Sequence, residues 1–289
     1  MIHGLFGIPV ATLVVCSAVL AQPEQSQPSE SSGVSEAVPA SASIAPDAKL
    51  VVDQYIAATG GRSGWESIRT LQGNGSVSIP AAGIAGSANV LMSKAEYRRT
   101  FVLTGGPLNG AMIETGRNGD VIWQLTGEAD QYNGKLIEGA ERDRSLRQYQ
   151  FNQLLDLEKN FTRVEVVDVE EIDGVSTMKV LMVPRENPDS REYRFFDQKS
   201  GLILRTIIEE SGRPPQESRY TNYRRFGPIK MHTQTDMMTG GQVVMRIAIT
   251  NYVLNEPLPE EIKEMPLEIK VLLGEGPDPE AMGPHFQSE

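Results

Sequence analysis

The chain has 289 residues, 39% of them hydrophobic and 22% charged, which is an ordinary composition for a globular protein and provides enough apolar material for a sizeable core. The formal net charge of −11 argues against nucleic acid as a partner, because affinity for a phosphate backbone comes mainly from Lys and Arg. The only cysteine, Cys16, lies in an apolar N-terminal run, so the remainder of the chain carries neither a disulfide framework nor a thiolate metal site.

Residues 5–21 form an uncharged apolar run that ends in small residues before Gln22. The run is shorter than the ~20 apolar residues that span a membrane, so it predicts a signal peptide over residues 1–21 and export to the periplasm or another compartment outside the cytoplasm. An uncleaved anchor and a lipid-bearing Cys16 are the alternatives, and either would tether the protein to a membrane. No second apolar run is long enough to cross a membrane, so we expect no transmembrane span in the mature chain.

Two polar segments flank the predicted domain, which covers residues 47–270. Residues 22–46 are dominated by Ser, Pro, Glu, Gln and Ala, and such a segment cannot bury enough apolar surface to fold, so we expect a disordered linker. Residues 271–289 predict a flexible tail. Between these segments no boundary separates the expected strands into two cores, and we therefore expect a single domain.

Two helices are expected in this domain. Leu50, Val51 and Ile56 recur on one helical face, and Gly60-Gly61 follows as a helix-ending signal. A second segment, residues 141–160, places leucine and tyrosine among charged and amide side chains at helical spacing. The pattern predicts one helix at the start of the domain and one in its middle.

From Leu71 onward the apolar spacing changes to two, which is typical of half-buried β-strands. Gly, Pro, Asn and Asp separate ten or eleven such runs, and Gly240-Gly241 predicts a tight turn between the last two. Among the late runs, residues 219–225 and 229–235 are each expected to form one strand. The sequence therefore predicts a mostly β fold with two helices, built on an antiparallel sheet.

The chain shows no recognisable catalytic motif. It has no G-x-S-x-G elbow, no phosphate-binding Walker loop and no H-E-x-x-H zinc motif. Beyond residues 1–21 the histidines are His232 and His285, and we expect His232 to face solvent from a strand. Met231 and Met245, which together with His232 could suggest a copper site, have the spacing of core residues. We expect a protein that is not an enzyme and that has no catalytic residue, metal or cofactor.

Several segments resemble those of one protein group. The run Tyr55-Ile56-Ala57-Ala58-Thr59-Gly60-Gly61 with its following residues, and three later segments, carry the resemblance. These later segments are residues 196–205, 220–231 and 255–258. The chain resembles the outer-membrane lipoprotein-sorting-like proteins, related to the LolA/LolB carriers of the bacterial periplasm. The resemblance implies a curved antiparallel sheet that forms an open half-barrel with a helical lid and an apolar interior, which holds acyl chains in true carriers.

A half-barrel has a concave face, and period-two alternation indicates which large apolar residues can line it. The expected ligand-binding residues are Val90, Met92, Phe101, Ile113, Trp123, Met182 and Phe195. Among the two tryptophans, we expect Trp123 to respond to a ligand and Trp65 not to respond. The leading hypothesis is a non-enzymatic envelope protein that binds a lipid, a lipoprotein acyl chain or another apolar ligand. The alternatives are an envelope interaction, scaffold or sensor module with a protein partner and no small ligand, and a hydrolase.

Overall fold

The computed structural model describes residues 42–128 and 131–276. The predicted signal peptide, the predicted linker up to residue 41 and the predicted tail from residue 277 lie outside the described residues. Strands make up 52% of the described residues and helices 23%, which confirms the prediction of a mostly β protein.

The described residues form sixteen strands and five α-helices. The strands are β1 (Ser43–Ile44), β2 (Thr70–Ile79), β3 (Ile84–Ser93), β4 (Glu96–Thr104), β5 (Met112–Asn118), β6 (Val121–Glu128), β7 (Gln131–Ile137), β8 (Phe161–Ile172), β9 (Val175–Pro184), β10 (Arg191–Asp197), β11 (Ile203–Glu209), β12 (Gln216–Thr221), β13 (Arg224–Phe226), β14 (Ile229–Met231), β15 (Gln234–Thr239) and β16 (Gln242–Leu254). The helices are α1 (Pro46–Ala58), α2 (Gly61–Glu66), α3 (Gly139–Gln148), α4 (Leu157–Asn160) and α5 (Leu267–Leu272).

Fourteen strands form one large curved sheet that does not close on itself. Its order is β1-β8-β9-β10-β11-β12-β15-β16-β2-β3-β4-β5-β6-β7, so β1 and β7 are its edges. Neighbouring strands are antiparallel except β1 and β8, which pair in parallel. β13 and β14 form a separate two-stranded sheet. Strand β1 thus lies inside the segment expected to be a linker, and α5 extends into the segment expected to be a tail.

One face of the large sheet, here called the front face, carries the main apolar cluster. Helix α1 begins with Pro46 at its first position, where the missing N–H costs no hydrogen bond, and it buries Val52 and Ile56. These side chains pack on Val164 of β8 and Met182 of β9, both fully buried. Burial of this apolar surface, at roughly 25 cal/mol per Å², holds α1 on the sheet.

Helix α1 ends where the backbone of the neighbouring hairpin comes close. Gly60 has φ 123°, and a Cβ at this position would lie 2.3 Å from the carbonyl oxygen of Pro228. The amide of Lys230 donates a hydrogen bond to the carbonyl of Thr59 at 2.8 Å. Only glycine fits this crossing, so the β13–β14 hairpin is fixed against the end of α1.

The opposite face, here called the back face, carries a second apolar cluster under α5. Ile269 of α5 is fully buried against Trp123 and Leu125 of β6. Gly134 of β7 makes room for Ile269, because a Cβ there would lie 2.9 Å from the Ile269 Cδ1 atom. Helix α5 therefore covers the β6–β7 end of the sheet.

Three local expectations were wrong. The strand predicted over residues 229–235 is divided into β14 and β15, which His232 and Thr233 separate and which belong to different sheets. The single helix predicted over residues 141–160 consists of α3, a 3-10 turn at Gln153–Asp156 and α4, because Asn152 adopts an extended backbone and its side chain accepts a hydrogen bond from the amide of Leu154. The strand predicted over 219–225 breaks at Asn222, which has φ 57°. The chain there leaves the large sheet for the β13–β14 hairpin and re-enters it at β15.

The prediction of only two helices was therefore incomplete. Within the described residues, no helix is both long and apolar enough to cross a membrane.

Candidate functional site

Two neighbouring cavities lie on the front face, on either side of residues 150–152, which connect α3 to the 3-10 turn. Gln150, Phe151 and Asn152 line both of them. We call the larger one, of about 420 Å³, the apolar cavity, and the smaller one, of about 300 Å³, the polar cavity. The half-buried side chain of Phe151 belongs to the apolar clusters on this face and stands at the boundary between the cavities.

The connecting segment is held by amide side chains. Asn160, only 4% exposed, exchanges two hydrogen bonds with the side chain of Gln150 at 3.0 and 3.2 Å. The same Asn160 amide donates to the carbonyl of Gln153 at 2.7 Å. These contacts fix the backbone on both sides of Phe151, whose side chain is held by apolar contacts alone.

Aromatic and aliphatic side chains form the walls of the apolar cavity. They are Trp65, Ile68, Met92, Leu146, Tyr149, Phe151 and Leu155. Tyr149 stacks on Tyr97 of β4 with ring centroids 4.0 Å apart, and the Trp65 indole N–H donates to the Thr59 hydroxyl at 3.0 Å. Because these contacts fix two of the rings, the cavity wall is preformed. Charged groups lie at the edge of the cavity: Lys94, Arg117, Lys159, Glu66 and Asp156.

Polar side chains make up most of the lining of the polar cavity. Its polar lining consists of Tyr55, Gln148, Gln150, Asn152, Gln153, Glu192, Arg194, Thr206, Tyr220, Tyr223 and His232. Burial raises the pKa of Tyr55 to about 12 and that of Tyr223 well above its ordinary value, so both phenols are protonated at neutral pH. The Tyr223 hydroxyl donates to the carbonyl of Ile203 at 2.8 Å.

A buried ion cluster forms one wall of the polar cavity. Glu192 of β10, 2% exposed, accepts hydrogen bonds from Arg147 of α3 at 2.5 Å and from Arg194 at 3.0 Å. Arg147 also donates to Glu186 at 2.9 Å. Burial alone would raise the pKa of Glu192, but the two guanidinium groups hold it below its usual value, so this carboxylate is ionised at neutral pH.

His232 does not face solvent from a strand, contrary to our expectation. It lies between β14 and β15, half-buried, with its ring 4.6 Å from that of Tyr220 and 5.7 Å from that of Tyr223. Burial lowers the pKa of His232 to about 4, and the imidazole is therefore neutral at physiological pH. Desolvation alone accounts for this shift, since no charged group among the described residues contributes to it.

The structure divides the seven expected ligand-binding residues between the two faces. Five of them lie on the front face: Val90, Met92, Phe101, Ile113 and Met182. Met92 lines the apolar cavity, and Met182 packs in the α1 cluster.

Trp123 and Phe195 were wrongly assigned to the same face. Trp123 pairs across the sheet with Gly116 and Leu136, and its ring lies over Gly116 on the back face under α5. Phe195 is also on the back face, between the side chains of Lys179 and Arg205. Neither can line a cavity on the front face.

Trp65 lines the apolar cavity, which is the role that was expected of Trp123. Sequence reasoning also missed Phe151, Arg194 and the ion cluster. Glu192 and Arg194 alternate with apolar residues in β10, and this pattern predicts exposed charges unless their partners on α3 are known.

Among the described residues, no group of three or more His, Cys, Asp or Glu side chains is placed to hold a metal ion.

No protein-family model and no curated protein matches the chain. Among solved structures, the chain is similar to a DUF1329 family protein from Desulfovibrio piger, with 10% identity, a TM-score of 0.52 and coverage of 75% of this chain and 97% of that chain. It is also similar to a domain described as an outer membrane lipoprotein-sorting protein from Vibrio parahaemolyticus, with 8% identity, a TM-score of 0.50 and coverage of 74% and 94%. A LolA superfamily protein from Nitrosomonas europaea matches at 13% identity with a TM-score of 0.49 and coverage of 75% and 97%. At such identities likeness concerns the fold alone, and the chain therefore has the LolA-like fold that its sequence motifs predict.

Proposed function

We propose that this protein is a non-enzymatic envelope protein that binds an acyl chain or a similar elongated apolar ligand on the front face of its sheet. The observation that carries the proposal is the apolar cavity, whose volume of about 420 Å³ falls in the range of small-molecule sites. Its aromatic and aliphatic walls match the surface of a hydrocarbon chain. The predicted signal peptide supports export, and the lid expected from the resemblance corresponds to the α3–α4 region in this proposal.

Binding would be driven by removal of the hydrocarbon from water. Each buried methylene contributes about 0.8 kcal/mol, so ten of them contribute roughly 8 kcal/mol before the cost of ordering the ligand is subtracted. Met92 and Phe151 suit such a ligand, because methionine adapts its shape and the Phe151 side chain is held by apolar contacts alone. Movement of Phe151 would join the two cavities into one elongated site.

The two tryptophans provide an internal comparison that tests the proposal. Trp123→Phe leaves Trp65 in the cavity wall as the only indole, and Trp65→Phe leaves Trp123 on the back face. Both variants are titrated with a fatty acid brominated at its terminal carbon, because bromine quenches an indole only at short range. We expect saturable quenching in the Trp123→Phe variant and little in the Trp65→Phe variant.

Unsaturable or equal quenching in the two variants would contradict binding at the apolar cavity. Absence of quenching in both variants, together with absence of lipid from protein purified out of its native envelope, would favour the interaction or scaffold hypothesis instead.

A further inference from the structure

Arg194 is a buried guanidinium group with few partners. The residue is 6% exposed, and its one hydrogen bond to a carboxylate goes to Glu192 at 3.0 Å. Its Nε atom has no hydrogen-bond partner in the described part of the chain. A guanidinium has five N–H donors, and leaving a buried donor unpaired costs free energy. Arg194 therefore has fewer hydrogen-bond acceptors than a buried guanidinium normally has.

Arg147 shows the coordination that Arg194 lacks. It shares Glu192 with Arg194, but it also binds Glu186 at 2.9 Å and the side-chain oxygen of Gln153. One carboxylate therefore serves both guanidinium groups, and the second carboxylate of the cluster binds Arg147 alone. Arg194 is left with a share of one carboxylate.

Arg194 also lines the polar cavity. Arg194 and Glu192 are the formal charges in its lining, and Glu192 is already bound by both arginines. The hydroxyl groups of Tyr55 and Tyr220, which also line the cavity, form no hydrogen bond within residues 42–128 and 131–276. A buried guanidinium with two phenol hydroxyls in the same cavity lining is a donor set for an oxyanion.

We propose that the ligand has a carboxylate head group, which lies in the polar cavity and accepts hydrogen bonds from Arg194 and from the hydroxyls of Tyr55 and Tyr220. This inference rests on the proposed function, and it defines the orientation of the ligand in the two cavities. The hydrocarbon tail passes Phe151, which borders both cavities, and ends in the apolar cavity beside Trp65.

Calorimetric titration with dodecanoate and with dodecylammonium, each below its micelle concentration, separates this inference from the proposed function. The tails are identical and the heads differ in charge. We expect dodecanoate to bind about tenfold or more tightly than dodecylammonium, since charge-assisted hydrogen bonds to Arg194 form only with the anion. The net charge of −11 favours the cation by itself, so non-specific attraction would give the reverse order.

Substitution locates the preference. Arg194→Met is expected to remove the dodecanoate preference, whereas Arg205→Met, at a back-face arginine of the neighbouring strand, is expected to keep it. Tyr220→Phe deletes only an oxygen atom and leaves the ion cluster intact, so it tests the site even if Arg194→Met fails to fold. It is expected to weaken dodecanoate several-fold and dodecylammonium little.

Equal binding of both probes, or a preference that survives both Arg194→Met and Tyr220→Phe, would overturn the head-group assignment and leave the apolar site standing. Failure of both probes to bind would overturn the proposed function itself.

Discussion

At the residue scale, His232 should make the stability of the protein depend on pH. Its pKa is about 4 in the folded protein and near 6.5 when unfolded, so the unfolded chain binds more protons between these values. The stabilisation is therefore complete above pH 6.5 and is lost as pH falls toward 4. Denaturant titrations measure the free energy of unfolding across this pH range in the native protein and in His232→Gln. We expect it to fall by on the order of 2 kcal/mol more in the native protein than in the variant.

The same pH profile in the native protein and in His232→Gln would show that the imidazole is solvated, and would contradict its placement between Tyr220 and Tyr223.

The assignment of residues to a face shows what one sequence can and cannot reveal. Alternation within a strand correctly groups Val90 with Met92, because side-chain direction has period two. The relation between strands depends on register, and β5 and β6 pair so that Ile113 lies opposite Thr126, which places Trp123 on the other face. A shift of one residue reverses every side chain, and apolar spacing does not determine which register is used.

At the element scale, α5 should stabilise the sheet through one side chain. Ile269 is fully buried on Trp123, whereas Leu272 of the same helix is 44% exposed. We expect Ile269→Ala to lower the free energy of unfolding by about 2–4 kcal/mol, because it leaves a cavity, and Leu272→Ala to change it by less than about 1 kcal/mol. In a Trp65→Phe background, Ile269→Ala should also shift the emission of Trp123 to longer wavelength.

Equal effects of the two alanine substitutions would show that α5 is not docked on the back face.

The predicted boundaries of helices and strands were wrong where a polar side chain redirects the backbone. Apolar spacing continues through residues 141–160, yet α3 ends at Gln148. Asn152 has an extended backbone and caps the following 3-10 turn by accepting a hydrogen bond from the amide of Leu154. Asn222 similarly takes a left-handed conformation in the middle of an apparent strand. Asparagine is compatible with both outcomes, so neither break follows from the local pattern alone. The Gly240-Gly241 turn, in contrast, was correctly predicted. Both positions of the turn have positive φ, which glycine adopts readily, so the residue pair itself indicates the turn.

At the scale of the whole molecule, the two faces of the sheet differ in how they are covered. On the back face, Ile269 of α5 and Trp123 are both fully buried in one apolar cluster. On the front face, α1 packs tightly at one end, and the α3–α4 region leaves two adjoining cavities. The mostly β class was predictable from strand spacing and turn residues, and the curved open sheet was implied by the resemblance to lipoprotein-sorting-like proteins. The cavities, in contrast, depend on packing between distant segments.

The position of a bound ligand tests the central claim most directly. A crystal of the full chain grown with a fatty acid brominated at its terminal carbon locates the bromine atom by its anomalous scattering. We predict a single bromine peak in the apolar cavity, between Trp65 and Phe151, with density for the carboxylate beside Arg194. A bromine peak on the back face near Trp123, or no ordered bromine at a saturating concentration, would contradict it.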